Sequence, residues 1–136
     1  MSELNLEIIT PEKPIFKGQV DVITIPGTLG GFQILKNHAP LISSFEIGIL
    51  KVKKDSDETY YTTAGGTVEV NKNKVLVLAD SIEKVDKIDK DRAEQARTRA
   101  EERLKRKHEA DVDEARANAA LNRALNRLNA VKKYSS

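Results

Sequence analysis

The chain contains no cysteine, and all of its glycine and proline residues lie in the first 66 of its 136 positions. The absence of cysteine excludes a disulfide framework and any metal site built from thiolates, and it suits a reducing compartment. No apolar run approaches the roughly 18 residues that a membrane-spanning helix needs. The N-terminus is acidic and alternating, unlike a secretory signal. This length fits one domain, or one small domain with an appendage.

The total charge is nearly balanced, but its distribution along the chain is not. There are 23 lysines and arginines against 21 acidic residues, which by itself does not indicate a nucleic-acid partner. Residues 1–82 contain 8 lysines and 10 acidic residues, whereas residues 83–136 have a net charge of +4 and contain all of the arginines. We therefore predict two parts, a docking domain over 1–84 and a helical part over 85–136.

The first part has the pattern of short strands separated by turns. Leu4, Leu6 and Ile8 alternate with polar residues, as in a half-buried strand. Other strand candidates are 20–25, 32–35, 47–52, 59–63, 67–70 and 74–78. Tight turns are predicted at 55–57 and 71–73, and a break in the pattern at 11–14. So many short strands predict an all-β sandwich or barrel.

The second part is predicted to be an antiparallel two-helix hairpin. Residues 89–136 lack glycine and proline and are rich in strong helix formers. We expect a first helix over 89–109, an acidic cap at Asp111, and a second helix that reaches about Lys132. A break of a few residues makes the helices antiparallel neighbours. The predicted seam consists of small and aliphatic residues: Ala93, Ala96, Ala100 and Leu104, facing Ala117, Leu121, Ala124, Leu128 and Val131.

The hairpin is also predicted to be mobile. Only six large aliphatic residues follow Ile88, namely Leu104, Val112, Leu121, Leu125, Leu128 and Val131. Ordering about fifty residues costs more backbone entropy than the burial of six such side chains returns. We therefore expect the hairpin to be marginal alone and to open more readily than the β domain.

Seven of the eight arginines form two stripes on the predicted helices. At about 100° per residue, one stripe spans about 60° and the other about 40°. Each stripe is rotated about 100° from its own seam in the same sense, so antiparallel helices bring both to one flank. The stripes are Arg92, Arg99, Arg103 and Arg106, and Arg116, Arg123 and Arg127.

Two interpretations of these stripes remain open. The arginines are either solvated and paired with neighbouring acids such as Glu102, or they form an anion site. Forked guanidinium groups bind phosphate and carboxylate oxygens in a bidentate manner, so a polyphosphate, an acidic protein segment or a nucleic acid would fit. Nucleic acid is the weakest of these, because acidic residues of the first helix dilute the field.

Residues with catalytic or metal-binding chemistry are scarce. His38 and His108 make no ligand pair. There is no Gly-x-x-x-x-Gly-Lys-Ser/Thr phosphate loop and no recognisable serine nucleophile motif. We expect no catalytic residue, no metal and no required cofactor, and we expect the chain not to be an enzyme by itself.

Four motifs resemble the epsilon subunit of bacterial F-type ATP synthases. They are IITP at 8–11, ILKNHAPL at 34–41, GGTVEV at 65–70 with VLAD at 77–80, and IDKDRA at 88–93. The resemblance covers essentially the whole chain, with the motifs in the family's order. One departure is Gly-Phe-Gln-Ile at 31–34, where the family usually has Glu-Leu-Gly-Ile. This departure, through Gly31 and Gln33, bears on any carboxylate-specific contact with the membrane rotor.

The resemblance implies an N-terminal β-sandwich followed by a helical hairpin, in a central-stalk subunit of a proton-translocating ATP synthase. The sandwich would dock on the gamma subunit and on the ring of c subunits. The hairpin would fold back, or extend toward the alpha/beta catalytic ring and inhibit ATP hydrolysis. The subunit would be peripheral to the membrane, on the cytoplasmic face of the bacterial inner membrane, with no nucleic acid as partner.

The resemblance also implies site residues. Regulatory ATP would bind the folded hairpin and hold it closed by linkage. The implied ATP-binding residues are Glu83, Ile88, Asp89, Arg92, Ala93, Arg99, Arg123 and Arg127. The implied rotor-contact loop contains Gly31, Phe32, Asn37 and His38. Four of the ATP residues coincide with the arginine stripes.

Two other functions compete with this interpretation. The first alternative is a small β-domain adaptor whose basic hairpin binds nucleic acid, with an affinity that falls steeply with salt. The aromatic residues available in the β domain, Phe16, Phe32, Phe45, Tyr60 and Tyr61, are not spaced as in an RNA-binding motif. The second is a carbohydrate- or ligand-binding sandwich with a passive helical tail.

Overall fold

A computed structural model describes residues 4–134, which form eight strands, one short 3₁₀ helix and two α-helices. The chain divides into two compact units, Met1–Lys84 and Val85–Ser136. The strands are β1 Leu4–Ile9, β2 Pro14–Val20, β3 Val22–Ile25, β4 Phe32–Leu35, β5 Leu41–Lys54, β6 Asp57–Asn71, β7 Lys74–Ala79 and β8 Ile82–Lys84. The 3₁₀ helix is Val85–Lys87, and the α-helices are α1 Lys90–Lys105 and α2 Glu114–Tyr134.

The strands of the first unit form a two-layered sandwich. Their hydrogen-bonded order is β2-β1-β7-β6-β5-β3-β4, with β8 added on β6. β1 and β7 are parallel, whereas the pair β5–β6 is a long antiparallel hairpin. β6 pairs with β8 through 61–63 and with β7 through 66–71. The two ends of β6 therefore belong to different layers, and the predicted fold class is confirmed.

The bend that lets one strand serve two layers lies at a glycine pair. In β6, Tyr61, Thr62 and Thr63 are all buried before the glycine pair, whereas after it only the even positions Val68 and Val70 are buried. Between them, Gly65 has φ +114°, and a Cβ on Gly66 would collide with the Leu78 carbonyl oxygen. Glycine tolerates both constraints because it has no Cβ. The pair therefore bends β6 without ending it.

The core of the first unit consists of large aliphatic side chains. Leu4, Leu6 and Ile8 are fully buried, as their alternation predicts, and so are Ile23 and Leu50. Phe45 and Tyr61 complete the cluster. Each fully buried side chain of this size contributes about 1.5–3 kcal/mol relative to an exposed one. The unit therefore has the hydrophobic core that its pattern indicates.

Some details of the strand prediction are wrong, but the predicted break at 11–14 is confirmed, since β1 ends at Ile9 and β2 begins at Pro14. Proline is tolerated there, since it is the first residue of an edge strand and does not need a ladder hydrogen bond from its nitrogen. The segments 59–63 and 67–70 are one strand, 20–25 is divided at Asp21, and the short strand β8 was not predicted.

The predicted tight turns are confirmed. Asp55 has φ +55° in the β5–β6 connection. Lys72 and Asn73 have φ +49° and +61° and form the two-residue connection between β6 and β7. Positive φ at both central residues is the signature of a type I′ hairpin turn, whose twist matches that of the flanking strands. These turns fix the register of the two hairpins.

The two helices have shorter and shifted boundaries compared with the prediction. α1 ends at Lys105 rather than at residue 109, and Arg106 follows in a non-helical conformation. The N-cap of α2 is Asp113 rather than Asp111, since the Asp113 carboxylate accepts the Arg116 N–H at 3.1 Å. Consecutive i→i+3 hydrogen bonds, from Arg106, Glu109 and Val112 back to Arg103, Arg106 and Glu109, occupy the connection between the helices.

The predicted seam is confirmed in part: four of its alanines are buried, whereas Ala96, Leu104, Leu121, Leu128 and Val131 are half-buried. α1 and α2 pack against each other. The buried helical residues are Ala93 and Ala100 on α1, and Ala117, Ala124 and Ala130 on α2. Ala130 was not predicted; α2 also contacts the 3₁₀ helix, where Val85 is buried. Within residues 4–134, no helix is both long enough and apolar enough to span a membrane.

Candidate functional site

The arginine stripe of α1 lies exposed on the second unit. Arg92, Arg99 and Arg103 are all exposed, and none forms an ion pair with an acidic residue in the described part of the chain. The predicted neighbour Glu102 pairs with none of them. These three guanidinium groups are therefore available to an external anion.

The acidic residues of α1 that form ion pairs bind a different arginine. Arg97 lies 2.6 Å from Glu94 and 3.9 Å from Glu101. Arg97 is about 140° from Arg92 around the helix, on the other side of the seam. One side of α1 is thus internally paired, whereas the stripe side is not.

The structure corrects one member of the predicted stripe. Arg106 was placed with Arg92, Arg99 and Arg103, but it is the C-cap of α1 with φ −106°. Its Nη1 atom donates to Glu109 Oε2 at 3.0 Å. Because Arg106 leaves the helix and forms an ion pair, the stripe of α1 contains three arginines.

The stripe of α2 is less exposed than that of α1. Arg116 is exposed, whereas Arg123 and Arg127 are half-buried. They lie within about 40° of one another and about 100° from the alanine seam. Because the helices are antiparallel and both seams are buried, the two stripes lie on the same flank of the hairpin. We call Arg92, Arg99, Arg103, Arg116, Arg123 and Arg127 the arginine flank.

The remaining predicted ATP residues lie in several different environments. Asp89 caps α1, its carboxylate accepting the Arg92 N–H at 3.1 Å. The Ile88 N–H donates to the Val85 carbonyl oxygen at 3.2 Å. Ala93 is only 3% exposed and faces the seam. Glu83 belongs to β8 of the first unit, where it pairs with Thr62.

The second unit therefore presents three exposed arginines of α1 that have no ion-pair partner among residues 4–134. Guanidinium groups are always charged and match the oxygens of phosphate and carboxylate groups. Within residues 4–134, no group of three or more His, Asp or Glu side chains is placed to hold a metal ion. Such a surface could bind an anion.

The predicted rotor-contact residues lie on two turns rather than one loop. Gly31 and Phe32 are at the start of β4, and Asn37 and His38 follow its end. Four strand residues separate the two turns by roughly 10–13 Å. Phe32 packs against the core, so its aromatic ring is only partly available.

The turn after β4 is built from local and distant hydrogen bonds. Asn37 has φ +66°, and the His38 N–H donates to the Leu35 carbonyl oxygen at 3.2 Å. His38 Nδ1 lies 2.7 Å from the Ala39 carbonyl oxygen, so Nδ1 carries the proton. The Asn37 N–H donates to Asn73 Oδ1 at 2.6 Å. Sequence reasoning placed Asn73 in a turn but missed this role.

Comparison with known families gives two adjoining matches over nearly the whole chain. Residues 3–85 match the sequence profile described as ATP synthase, Delta/Epsilon chain, beta-sandwich domain. Residues 86–132 match the profile described as ATP synthase, Delta/Epsilon chain, long alpha-helix domain.

Curated relatives agree with these matches. The ATP synthase epsilon chain of Symbiobacterium thermophilum is 43% identical over 131 residues, which cover 96% of this chain and 94% of the relative. The ATP synthase epsilon chain of Nitratidesulfovibrio vulgaris is 46% identical over 125 residues, covering 92% of each. Both relatives are matched over nearly their full length.

Solved structures share the fold. A chain in the cryo-EM structure of the Euglena gracilis mitochondrial ATP synthase, containing OSCP, F1 and c-ring, has a TM-score of 0.80 at 21% identity. The match covers 96% of this chain and 82% of that chain. A chain in the Tetrahymena thermophila mitochondrial ATP synthase central stalk and c-ring has a TM-score of 0.55 at 15% identity, covering 67% and 69%.

Proposed function

The chain belongs to the ATP synthase delta/epsilon chain family, and we propose that its hairpin acts in this enzyme as an ATP-responsive brake on hydrolysis. It is a non-catalytic, epsilon-type subunit of the central stalk, and the complex is the enzyme. The nucleic-acid adaptor is accordingly not favoured. The proposal concerns how this subunit contacts its neighbours and what its arginine flank binds.

The sandwich is proposed to be the docking part. It would contact the gamma subunit and the c-subunit ring, with the turn that contains Asn37 and His38 at the contact with the rotor. A rigid body suits this role, and the supporting observation is the continuous aliphatic core. The complex would lie at the cytoplasmic face of a bacterial inner membrane, with this subunit peripheral to the membrane.

The hairpin is proposed to be the mobile part, folding back or extending toward the alpha/beta subunits. Support comes from its seam, in which all five buried helical residues are alanines. An alanine methyl group removes little apolar area from water, so the seam has little hydrophobic stabilisation. Hydrogen exchange should show the hairpin amides opening at lower free energy than the strand amides. Equal protection in both units would contradict this.

The observation that carries the ATP proposal is the exposed, unpaired set Arg92, Arg99 and Arg103. A triphosphate offers several oxygens to forked guanidinium groups. Binding to the folded hairpin alone would stabilise it by RT ln(1 + [ATP]/Kd), about 2.7 kcal/mol at a hundredfold excess over Kd. A hairpin that is only marginally stable would respond to a binding free energy of this size.

Isothermal titration calorimetry of the full chain with ATP tests the ligand. Arg92→Ala with Arg127→Ala should weaken binding. The matched control is Arg97→Ala, which removes an arginine of the same helix that is paired with Glu94 and lies off the flank. The control should bind as the unaltered chain does. No heat of binding at millimolar ATP would refute an ATP site and leave an acidic segment of the beta subunit as the anion.

The brake itself is tested in the assembled complex. Removing residues 85–136 should raise the rate of ATP hydrolysis while the sandwich still assembles with its neighbours. An unchanged hydrolysis rate, with the truncated subunit shown to be present in the complex, would exclude the brake. Tight binding to DNA or RNA that weakens steeply with salt concentration would instead support the nucleic-acid adaptor.

A further inference from the structure

Two turns of the sandwich, distant in sequence, are joined by a pair of asparagine side chains. The Asn37 N–H donates to Asn73 Oδ1 at 2.6 Å. In return, Asn73 Nδ2 lies 3.4 Å from Asn37 Oδ1. The first bond is short and the second is at the long end of the hydrogen-bond range. We call this pair of contacts the asparagine clasp.

Asn73 is held on a rigid base. It is the second central residue of the β6–β7 turn, with φ +61° beside Lys72 at +49°. Its own carbonyl oxygen accepts the Asn5 N–H at 2.8 Å, which ties the turn to the start of β1. Because β1 and β7 are adjacent in the sheet, the Asn73 side chain projects from a position fixed by two strands.

The segment that Asn73 holds has few other anchors. Residues 36–40 connect β4 to β5, and β4 lies at the end of the strand order. Their other described hydrogen bonds are local, from the His38 N–H to Leu35 and from His38 Nδ1 to Ala39. Within residues 4–134, the clasp supplies the hydrogen bonds that join 36–40 to a distant element.

Asn37 itself has an unfavourable backbone conformation that the clasp helps to maintain. A non-glycine residue at φ +66° is uncommon, although asparagine adopts it more readily than most residues. The clasp satisfies the Asn37 N–H directly. We infer that Asn73 is a positioning residue, which holds the turn containing Asn37 and His38 in the one conformation that contacts the rotor.

This inference rests on the proposed function, since it is that proposal which assigns the turn to the rotor contact. Pre-organisation of the turn favours binding. If the turn samples several conformations, the apparent dissociation constant is the intrinsic one divided by the fraction of the binding-competent conformation. One hydrogen bond of this kind changes the equilibrium constant between conformations by roughly fivefold.

The variant Asn73→Gly removes the clasp and keeps a residue that accepts positive φ. Lys72→Gly is the matched control, because it alters the same turn at a similar φ without removing the clasp. Asn73→Asp is a second variant, which keeps the acceptor for the Asn37 N–H and loses the Nδ2 donor. Asn37→Gly keeps the backbone donor, so the shorter of the two bonds survives.

Amide hydrogen exchange by NMR on the full chain measures the turn directly. In Asn73→Gly, the Asn37 and His38 amides should exchange roughly fivefold faster than in Lys72→Gly, while the amides of β5 and β6 should not differ. In Asn73→Asp and Asn37→Gly, the backbone amide of residue 37 should keep most of its protection. Equal exchange in Asn73→Gly and Lys72→Gly would overturn the inference.

Binding to ATP synthase depleted of this subunit gives the second measurement. The dissociation constant of Asn73→Gly should exceed that of Lys72→Gly, by up to about fivefold. If the unaltered chain binds and the two variants bind equally, the positioning role is wrong while the proposed function stands. If the unaltered chain does not bind, the proposed function fails, and the positioning inference that rests on it is withdrawn.

Discussion

The sandwich and the hairpin bury different kinds of side chain in their cores. The fully buried large side chains, among them Leu4, Ile23, Leu50 and Val77, all belong to the sandwich. The buried helical residues of the hairpin are all alanines, such as Ala100 and Ala124. Alanine favours helix and permits close approach of two helices, but its burial returns little free energy. This difference is the basis of the proposal that the sandwich is rigid and that a ligand can switch the hairpin.

The two parts also differ in how they use charge. All arginines follow residue 91, and the first 82 residues have a net charge of −2. In the sandwich, Lys51 and Glu58 form an ion pair at 3.0 Å across neighbouring strands. In the hairpin, Arg97 is paired while the arginines of the flank on α1 are not. An exposed charge without an internal partner is available to another molecule.

The largest effect is expected from truncating the aliphatic core. Ile23→Ala removes a fully buried side chain and should destabilise the sandwich by about 2–5 kcal/mol, through lost transfer free energy and a cavity. Urea denaturation followed by far-ultraviolet circular dichroism measures this. The matched control is Ile42→Ala in β5, where Ile42 is 73% exposed. The free energy of unfolding of this variant should change by no more than about 0.5 kcal/mol. A similar loss in both variants would contradict the assigned core.

A smaller effect should come from overfilling the alanine seam. Ala124→Leu places a larger side chain between closely packed helices and should cost about 1–3 kcal/mol. Hydrogen exchange of the α1 and α2 amides should report the loss, with the strand amides unaffected. Ala115→Leu is the control, because Ala115 is exposed on the same helix. A stabilised Ala124→Leu hairpin would mean that the seam contains unfilled space.

The N-cap of α2 is expected to contribute less to stability than the core or the seam. Asp113→Ala removes the carboxylate that accepts the Arg116 N–H and should destabilise α2 by about 1 kcal/mol. Asp111→Ala alters an acidic residue two positions earlier that lies outside the helix, and should have little effect. Hydrogen exchange over the first turn of α2 distinguishes the two. If Asp111→Ala were the more damaging change, the helix would begin where the sequence pattern placed it.

The smallest effect at neutral pH is expected from a buried tyrosine of the sandwich. Burial raises the pKa of Tyr61 above its usual value of 10.0. The folded state holds the Tyr61 proton more tightly than the unfolded state does. The stabilisation of the folded state that results is fully present below about pH 10 and is lost as the pH rises through the folded pKa. Alkaline denaturation should therefore be less steep in Tyr61→Phe than in the unaltered chain. Identical pH profiles for the two chains would contradict this.

Much of the fold could be predicted from the sequence, because the signals that define it are local. Alternation over Leu4, Leu6 and Ile8 indicates a strand, and the alanine spacing on both helices indicates the seam. Boundaries were less predictable. Gly65 and Gly66 look like a break in sequence, yet β6 continues through them, because the sandwich needs a strand that bends from one layer to the other.

The candidate site was predictable in part. Helical geometry places Arg92, Arg99 and Arg103 on one side from their spacing alone. The predicted stripe included Arg106 because the predicted helix ended at residue 109, four residues beyond the observed end at Lys105. Which arginines are paired could not be predicted, since Glu94, Glu101 and Glu102 all lie within reach of an arginine in sequence. Rotamers and solvent exposure decide among such partners.

By itself, the sequence determined the two-part division, the secondary structure of each part and the segregation of positive charge to the hairpin. These features depend on composition and on contacts between residues close in sequence, so residue propensities and hydrophobic periodicity predict them. Only the tertiary structure decided that β6 spans both layers, and that Asn73 Oδ1 accepts the Asn37 N–H. Those features join residues tens of positions apart, and no local pattern specifies which distant backbone group a side chain will meet.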